Sequence, residues 1–176
     1  NNFTNKGSEC LLNAVSGCLN FMKDSTLIFA PNHNSYDRFS TGAHAPTAIN
    51  WGYENRTTAI RIPGGPDIAK RIEHRVAGGD ANPYLVLASI LGAAINGMES
   101  KMEVEEPISG DGYISGGVSI IKDWKKSIEC FSNSQQIKKI FDPLLIRSFV
   151  DCKKQELNYF KDKSYNHIIQ TTINAI

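Results

Sequence analysis

The chain has 176 residues, of which 41% are hydrophobic and 21% are charged, the composition of an ordinary globular protein. Nineteen Lys and Arg residues oppose eighteen Asp and Glu residues, so the net charge of +1 gives no overall attraction to nucleic acid or anionic lipid. The longest apolar stretch, residues 84–95, is far shorter than the roughly 20 residues that cross a bilayer, and no signal peptide is recognisable. We therefore expect a cytoplasmic protein that binds neither nucleic acid nor membranes.

The first predicted element is an amphipathic helix over residues 9–23, where Leu11, Val15 and Cys18 recur at helical spacing. Residues 27–46 then change to Pro, Asn, Ser and Gly, which favour turns, and they predict a long polar loop. Long loops in compact domains often carry functional residues, so we expect part of the site here.

Two short runs, residues 58–63 and 71–76, have the pattern of β-strands and are joined by Gly-Gly and Gly-Pro turn signals. The economical prediction is an antiparallel pair. Asn82 and Pro83 then supply an N-cap and a first-turn proline for a helix over residues 83–101. The first half of this helix is apolar nearly all round, which predicts a helix buried between layers that supports the sheet from behind.

From residue 120 onward the pattern is helical, over residues 120–131, 135–141, 143–161 and a last short stretch. The predicted fold is therefore α+β. It has an antiparallel sheet with an arginine-lined face, backed by helices and followed by a helical C-terminal region.

The charged residues of the two predicted strands are expected on one side of the sheet, because side chains alternate along a strand. Arg61 would lie opposite the side chains of Ile60 and Ile62. If the apolar residues of both strands face one core, the other face gathers four charged residues: Arg61, Arg71, Glu73 and Arg75.

Two interpretations of this face remain open. One is a solvated surface with ion pairs worth about 0–1 kcal/mol each. The other is an anion site, since the cations of the face are arginines, whose planar fork binds phosphate or carboxylate with two hydrogen bonds. Glu73 would then tie guanidinium groups together or hold the Mg²⁺ that accompanies a nucleotide. The sequence has no P-loop or dinucleotide-binding glycine motif, so a polyphosphate would not be held by either kind of glycine-rich turn.

Four blocks in order resemble the glutamine synthetase family: "NSYDR" (34–38), "GAHAP" (42–46), "NRTTAIRIP" (55–63) and "RIEHRVAGGDANPYL" (71–85). They are similar to the C-terminal half of the catalytic domain in type I enzymes and in the related γ-glutamyl-amine ligases. The similarity runs from residue 31 to residue 102 without a large gap. A single R-x-E-x-R motif would indicate little, whereas several ordered blocks are specific.

The resemblance implies an ATP-dependent ligase. ATP and glutamate would meet between adjacent subunits of a homo-oligomer, a dodecamer-type ring, and a phosphoryl transfer assisted by Mg²⁺ or Mn²⁺ would make γ-glutamyl phosphate. Ammonia or an amine would then displace the phosphate. The resemblance also implies that residues 1–176 lack the N-terminal β-grasp domain and the first half of the catalytic domain, with the other metal ligands. This chain alone would then hold half an active site and be inactive.

Roles for the charged face follow from the resemblance. Arg56, Arg61 and Arg71 would bind the ATP phosphates or lie along the nucleotide. Glu73 would be a metal ligand. Arg75 would lie near the transferred phosphoryl group and the substrate, and Arg56 and Arg75 would take part in the reaction.

The loop of residues 27–46 would contribute two further groups. Arg38 matches the arginine that binds a carboxylate of glutamate. His44 stands where ammonia-using members have a glutamate in the pattern G-x-E-A-P. A histidine supplies no negative charge for an ammonium ion, so we expect a neutral or bulkier amine as the acceptor.

Two alternatives remain at this point. A guanidino kinase also lines a sheet with arginines around ATP. A non-catalytic relative, or a fragment, would retain the fold without turning over substrate.

Overall fold

The structure is a computed structural model that describes residues 8–115 and 117–173. Its fold class is α+β, as the sequence predicts. The helices are α1 (Glu9–Met22), α2 (Thr26–Phe29), α3 (Pro83–Glu99), α4 (Trp124–Asn133), α5 (Pro143–Phe160) and α6 (Tyr165–Ile173). The strands are β1 (Ala48–Ile49), β2 (Trp51–Tyr53), β3 (Ile60–Ile62), β4 (Glu73–His74) and β5 (Val118–Ser119). Short 3-10 turns cover His33–Arg38, Asp67–Ala69 and Ile137–Lys139.

The two longest helices begin in the same way, with a polar cap followed by proline. The Asn82 side chain accepts hydrogen bonds from the backbone N–H groups of Tyr84 and Leu85 at the start of α3. The Asp142 carboxylate accepts one from Leu144 at the start of α5. Such caps satisfy N–H groups that have no partner within the helix, so the sequence signal for both starts is confirmed.

Strands β2, β3 and β4 form one sheet, with β3 in the middle. The predicted antiparallel pairing of β3 with β4 is confirmed, with Arg61 opposite Glu73. β2 lies parallel to β3, with Trp51 opposite Ile60, and this pairing was not predicted. A separate two-stranded antiparallel sheet joins β1 to β5.

The connection between β2 and β3 is held by the side chain of Asn55. Its Oδ1 accepts hydrogen bonds from the N–H and the hydroxyl of Thr57, at 3.0 and 2.6 Å. Its Nδ2 donates to the carbonyls of Ile108 and Gly110. This short connection therefore fixes β2 beside β3.

Helix α3 packs mainly on α1, through two glycines. A Cβ atom on Gly17 would lie 2.8 Å from the Cα of Gly97, so only glycine allows the two backbones this close. The prediction that α3 is buried between layers behind the sheet is wrong for this chain. Its other side is exposed, because within the described residues α1 covers only one of its apolar faces; the exposed stripe is Tyr84, Leu87, Leu91 and Ile95.

The segment predicted as a long loop, residues 27–46, is partly helical. Leu27, Ile28 and Phe29 are buried within α2, and Arg38 ends a 3-10 turn. The first residues of the segment are apolar rather than turn-forming, and their contacts with the core make them helical. Residues 40–46 form turns and bends, as expected.

Helices α4, α5 and α6 confirm the predicted helical C-terminal region, although the helix predicted from residue 120 begins at Trp124 and residues 135–141 contain only the 3-10 turn Ile137–Lys139. α4 packs against α2 and α5 through buried Trp124, Ile128 and Phe131. None of the helices within residues 8–115 and 117–173 is long and apolar enough to cross a membrane.

Candidate active site

The predicted charged face of the sheet is a chain of ion pairs. Glu73 on β4 bonds Arg61 on β3 through Oε2, 3.0 Å from Nη1. Its other oxygen, Oε1, lies 3.2 Å from Nε of Arg75. Behind them, as predicted, the core receives buried side chains from the strands: Ile60, Ile62 and Val76.

These ion pairs are much less exposed than ordinary surface pairs. The side chains of Arg61 and Arg75 are each 15% exposed and that of Glu73 is 37% exposed. In the surface pair Arg147–Asp151 the corresponding values are 82% and 63%. Water therefore screens the central pairs less than it screens the surface pair.

Arg75 joins several segments of the chain by donating hydrogen bonds to backbone carbonyls. Nη1 donates to the carbonyls of Arg56 and Thr58, the latter at 3.0 Å, and Nη2 donates to the carbonyl of His44 at 3.2 Å. His44 has a left-handed backbone conformation (φ 58°) and an exposed side chain. The structure thus places the backbone of His44 and of Arg56 next to the guanidinium of Arg75.

Glu54 is a member of the cluster that sequence reasoning missed. Its carboxylate lies 3.2 Å from Nη2 of Arg61 and accepts a hydrogen bond from the backbone N–H of Gly64. The Gly64 N–H, followed by the charge of Arg61, holds the pKa of Glu54 below its usual range. Its place directly before the NRTT block was the available signal, but the contact with Arg61 depends on the parallel pairing of β2 with β3.

Three other arginines lie outside the chain of ion pairs. Within the described part of the chain, no acidic group forms an ion pair with Arg38, Arg56 or Arg71. Arg38 donates to the carbonyls of Val76 and Ala77, at 3.2 and 3.5 Å, so backbone dipoles hold it without neutralising it. The site therefore combines two neutralised arginines with three that can receive an anion.

Arg71 does not join the ion-pair chain. It precedes β4, its side chain is exposed, and Nη1 donates to the carbonyl of Ala69 at 3.1 Å. The predicted grouping of all four charged residues on one face is thus confirmed for Arg61, Glu73 and Arg75, while Arg71 lies beyond the end of the strand.

A cavity of about 620 Å³ lies beside Arg56, between residues 53–56 and residues 107–110. Volumes of about 300–1,000 Å³ are usual for cofactor sites. This open space is lined by both Arg56 and Glu54, so an anion entering there would meet one positive and one negative side chain.

The described residues fit phosphate better than they fit a metal. No group of three or more His, Cys, Asp or Glu residues in residues 8–115 and 117–173 could hold a metal ion. Both oxygens of Glu73 already face guanidinium groups, and hard divalent cations require several oxygen ligands. Glu73 could contribute one ligand to a site that other residues complete.

His74 belongs to the core, on the opposite side of β4 from Glu73. Its ring lies 4.6 Å from the ring of Phe29, and burial lowers its pKa from 6.5 to about 4. The imidazole is therefore neutral at physiological pH.

Comparison with known proteins identifies the family of this chain. The family model described as "Glutamine synthetase, catalytic domain" matches residues 1–171. The γ-glutamylputrescine synthetase PuuA of Escherichia coli K12 is 34% identical over 154 residues, which are 88% of this chain and 33% of that protein. The γ-glutamylethanolamide synthetase GlnA4 of Streptomyces coelicolor is 34% identical over 153 residues, with 87% and 33% covered.

A solved structure is also similar. The chain titled "GmaS/ADP complex-Conformation 1" aligns with 95% of this chain and 40% of its own length, with a TM-score of 0.79 and 25% identity. This chain spans about a third of the length of the curated relatives. The family match decides against the guanidino kinase alternative. The chain belongs to the glutamine synthetase family, in the part of its sequence that forms the catalytic domain.

Proposed function

We propose that the protein containing this chain is an ATP-dependent ligase that joins glutamate to an amine or ammonia through γ-glutamyl phosphate. This chain would supply part of the active site. The observation that carries the proposal is the half-buried Arg61–Glu73–Arg75 chain, together with Arg38, Arg56 and Arg71, which form no ion pair among the described residues.

In the first step a glutamate γ-carboxylate oxygen attacks the γ-phosphorus of ATP, the bond from that phosphorus to the bridging oxygen breaks, and ADP leaves. The reactants are both anions and repel each other, so cationic groups must neutralise them. Arg56, Arg61 and Arg71 would lie along the triphosphate, and Arg75 beside the phosphoryl group that moves. Their planar forks suit phosphate oxygens.

Arg38 would bind a carboxylate of glutamate. Its guanidinium is oriented by two backbone carbonyls and has no acidic partner among the described residues, so a bound carboxylate would be its counter-ion. Mg²⁺ or Mn²⁺ would take Glu73 as one ligand, with the remaining ligands supplied from outside the described residues.

In the second step the acceptor nitrogen attacks the carbonyl carbon of γ-glutamyl phosphate, phosphate leaves and the nitrogen loses a proton. The acceptor that we propose is an alkyl or aryl amine rather than ammonia. His44 supplies no negative charge to hold a small ammonium ion; its side chain is exposed, and its backbone carbonyl accepts a hydrogen bond from Arg75. The names of two relatives specify amine acceptors, putrescine and ethanolamine, which supports this choice.

The test is phosphate release by the protein expressed from its complete coding sequence. ATP and glutamate are supplied with ammonia or with each of a panel of alkyl and aryl amines. We expect release that requires glutamate and is fastest, as kcat/KM, with an amine. Highest kcat/KM with ammonia would make the protein a glutamine synthetase in the strict sense, and release that does not require glutamate would contradict the ligase proposal.

A non-catalytic relative is the second candidate. The finding that favours it is the lack of a three-ligand metal group among the described residues. Under the ligase proposal, residues 1–176 alone release no phosphate, whereas the complete protein does. If neither of them does, the non-catalytic alternative is correct.

We also propose a homo-oligomer of the dodecamer ring type for the complete protein, located in the cytoplasm. Light scattering coupled to size-exclusion chromatography measures the mass. A monomeric, fully active protein would contradict a site shared between subunits.

A further inference from the structure

The carboxylate of Asp80 joins two segments on either side of Arg38. Asp80 lies in the turn between β4 and α3, and its Oδ2 accepts a hydrogen bond from Nδ2 of Asn32 at 3.1 Å. The same oxygen accepts one from the hydroxyl of Ser35. Asn32 and Ser35 lie at the start of the 3-10 turn that ends at Arg38. One side chain thus connects the turn after β4 to the turn that carries the arginine.

Ser35 makes this connection specific. It is buried, and its oxygen accepts the backbone N–H of Asn32 at 2.9 Å while its hydroxyl donates to Asp80. Because a serine hydroxyl has one hydrogen, Asp80 is its acceptor, and loss of Asp80 leaves a buried donor without a partner.

Gly78 brings Asp80 close to the guanidinium of Arg38. A Cβ atom at Gly78 would lie 2.3 Å from Oδ1 of Asp80 and 2.8 Å from Nη1 of Arg38, so both groups border the same space. The N–H of Gly78 donates to the carbonyl of Phe29 at 2.9 Å, which fixes this turn against the core. Arg38 rests on the same turn through the carbonyls of Val76 and Ala77.

We propose that Asp80 is a positioning residue for Arg38 in the ligase reaction. It acts through the two donors of the 3-10 turn, because it forms no ion pair with Arg38 within the described residues, and so the arginine keeps its charge for the substrate. The proposal rests on the proposed function, in which Arg38 binds a carboxylate of glutamate. Asp80 would therefore affect binding of glutamate and leave the nucleotide contacts of Arg56 and Arg61 unchanged.

The experiment compares Asp80→Ala and Asp80→Asn with wild type in the protein expressed from its complete coding sequence. Asp162→Asn is the control, since Asp162 is an exposed carboxylate with no side-chain partner among the described residues. We expect the KM for glutamate to rise by about tenfold in Asp80→Ala, since one buried donor loses its acceptor, while the KM for ATP changes less than about twofold. Asp80→Asn keeps one acceptor oxygen, so its effect is smaller.

Ser35→Ala provides the matched test of mechanism. If Asp80 acts through Ser35, the rises of the glutamate KM in Ser35→Ala and Asp80→Ala do not multiply in the double variant. The proposal would be overturned if the effects of the two substitutions multiply in the double variant. It would also be overturned if Asp80→Ala raises the KM values for glutamate and ATP equally, or leaves the KM for glutamate unchanged.

Amide hydrogen exchange gives a readout that does not depend on activity. In Asp80→Ala we expect faster exchange at Ser35 and Phe39, whose N–H groups bond within the Arg38 turn, and at Gly78, whose N–H holds the turn after β4 to Phe29; exchange in α4 should be as in wild type. Wild-type exchange at all three amides overturns the proposal. If the wild-type protein does not use glutamate, the proposed function fails. The exchange experiment still tests Asp80 in that case: faster exchange in Asp80→Ala shows that Asp80 holds the Arg38 turn, and unchanged exchange shows that it does not.

Discussion

Arg61 and Glu73 stand opposite each other on neighbouring antiparallel strands, and their side chains meet at 3.0 Å. The register of the sheet therefore brings the pair together, and the same carboxylate continues to Arg75. One glutamate thus holds two arginines in place, which gives the first prediction.

Glu73→Gln removes the charge that Arg61 and Arg75 share. We expect the free energy of unfolding, measured by urea denaturation, to fall by about 1 kcal/mol. The pairs of Glu73 with Arg61 and Arg75 are partly buried yet still partly screened by water. The control Asp151→Asn breaks the exposed pair with Arg147 and is expected to cost about 0.5 kcal/mol or less. Equal effects of the two substitutions would show that the central pairs behave as surface pairs.

Glu54 makes stability depend on acidic pH. Its pKa is lower in the folded state, mainly through the Gly64 N–H, so its carboxylate stabilises the fold at pH values above the unfolded pKa. This stabilisation is lost as the pH falls below about 4.5 through the folded pKa. We expect Glu54→Gln to be less stable than wild type at pH 7 and the difference to shrink below pH 4.5, as measured by urea unfolding across pH.

Glu99→Gln serves as the control for Glu54, because Glu99 is exposed and has no side-chain partner in the part of the chain that the structure describes. Its stability should follow that of wild type at every pH. A constant difference between Glu54→Gln and wild type down to the lowest pH would contradict the role of the charge.

His74 makes stability depend on pH in a higher window. Its folded pKa of about 4 lies below the ordinary 6.5, so between these values the unfolded chain binds more protons and stability falls as the pH falls. The loss is complete near pH 4 and is on the order of 3 kcal/mol at 1.36 kcal/mol per unit. Chemical unfolding of wild type from pH 7 to pH 4 measures it.

His74→Phe should remove this dependence while it retains the contact with Phe29. Nδ1 of His74 has no hydrogen-bond partner within the described residues, so no bond is lost with the ring. We expect the variant to be more stable than wild type at pH 5. The same decline with pH in both proteins would place the titrating group elsewhere.

His44→Glu should move acceptor preference toward ammonia. A carboxylate at position 44 would add the negative charge that holds an ammonium ion, and we expect the ratio of kcat/KM for ammonia to that for the best amine to rise by about tenfold. Steady-state assays with both acceptors measure the ratio. His44→Gln, which adds no charge, should leave the ratio near the wild-type value; a similar rise in both variants would attribute the effect to the shape of the pocket.

Sequence patterns predicted the parts of the site that depend on local rules. The alternation of Arg61 with Ile60 and Ile62 predicted the two faces of β3, and Asn82 with Pro83 predicted where α3 begins. Both signals lie within a few residues of the structure that they specify.

Contacts between segments distant in the chain could not be predicted from local sequence patterns. The position of Glu54 beside Arg61 requires β2 to lie parallel to β3, and no local pattern encodes that choice of neighbour. The exposure of Leu87 and Leu91 on α3 likewise depends on which surfaces the rest of the chain covers. Helical periodicity detects an apolar face but does not show what packs on it.

The glycine contact between α1 and α3 determines where the site can deform. Gly17 and Gly97 bring backbone against backbone, so no side chain lies between them whose change of rotamer would let the helices slide. Helix α3 begins only three residues after Asp80, so this immobile pair of helices anchors one end of the turn that supports Arg38. We therefore expect any closure of the site around its substrates to occur in the exposed segments at residues 40–44 and 64–68 rather than between the two helices.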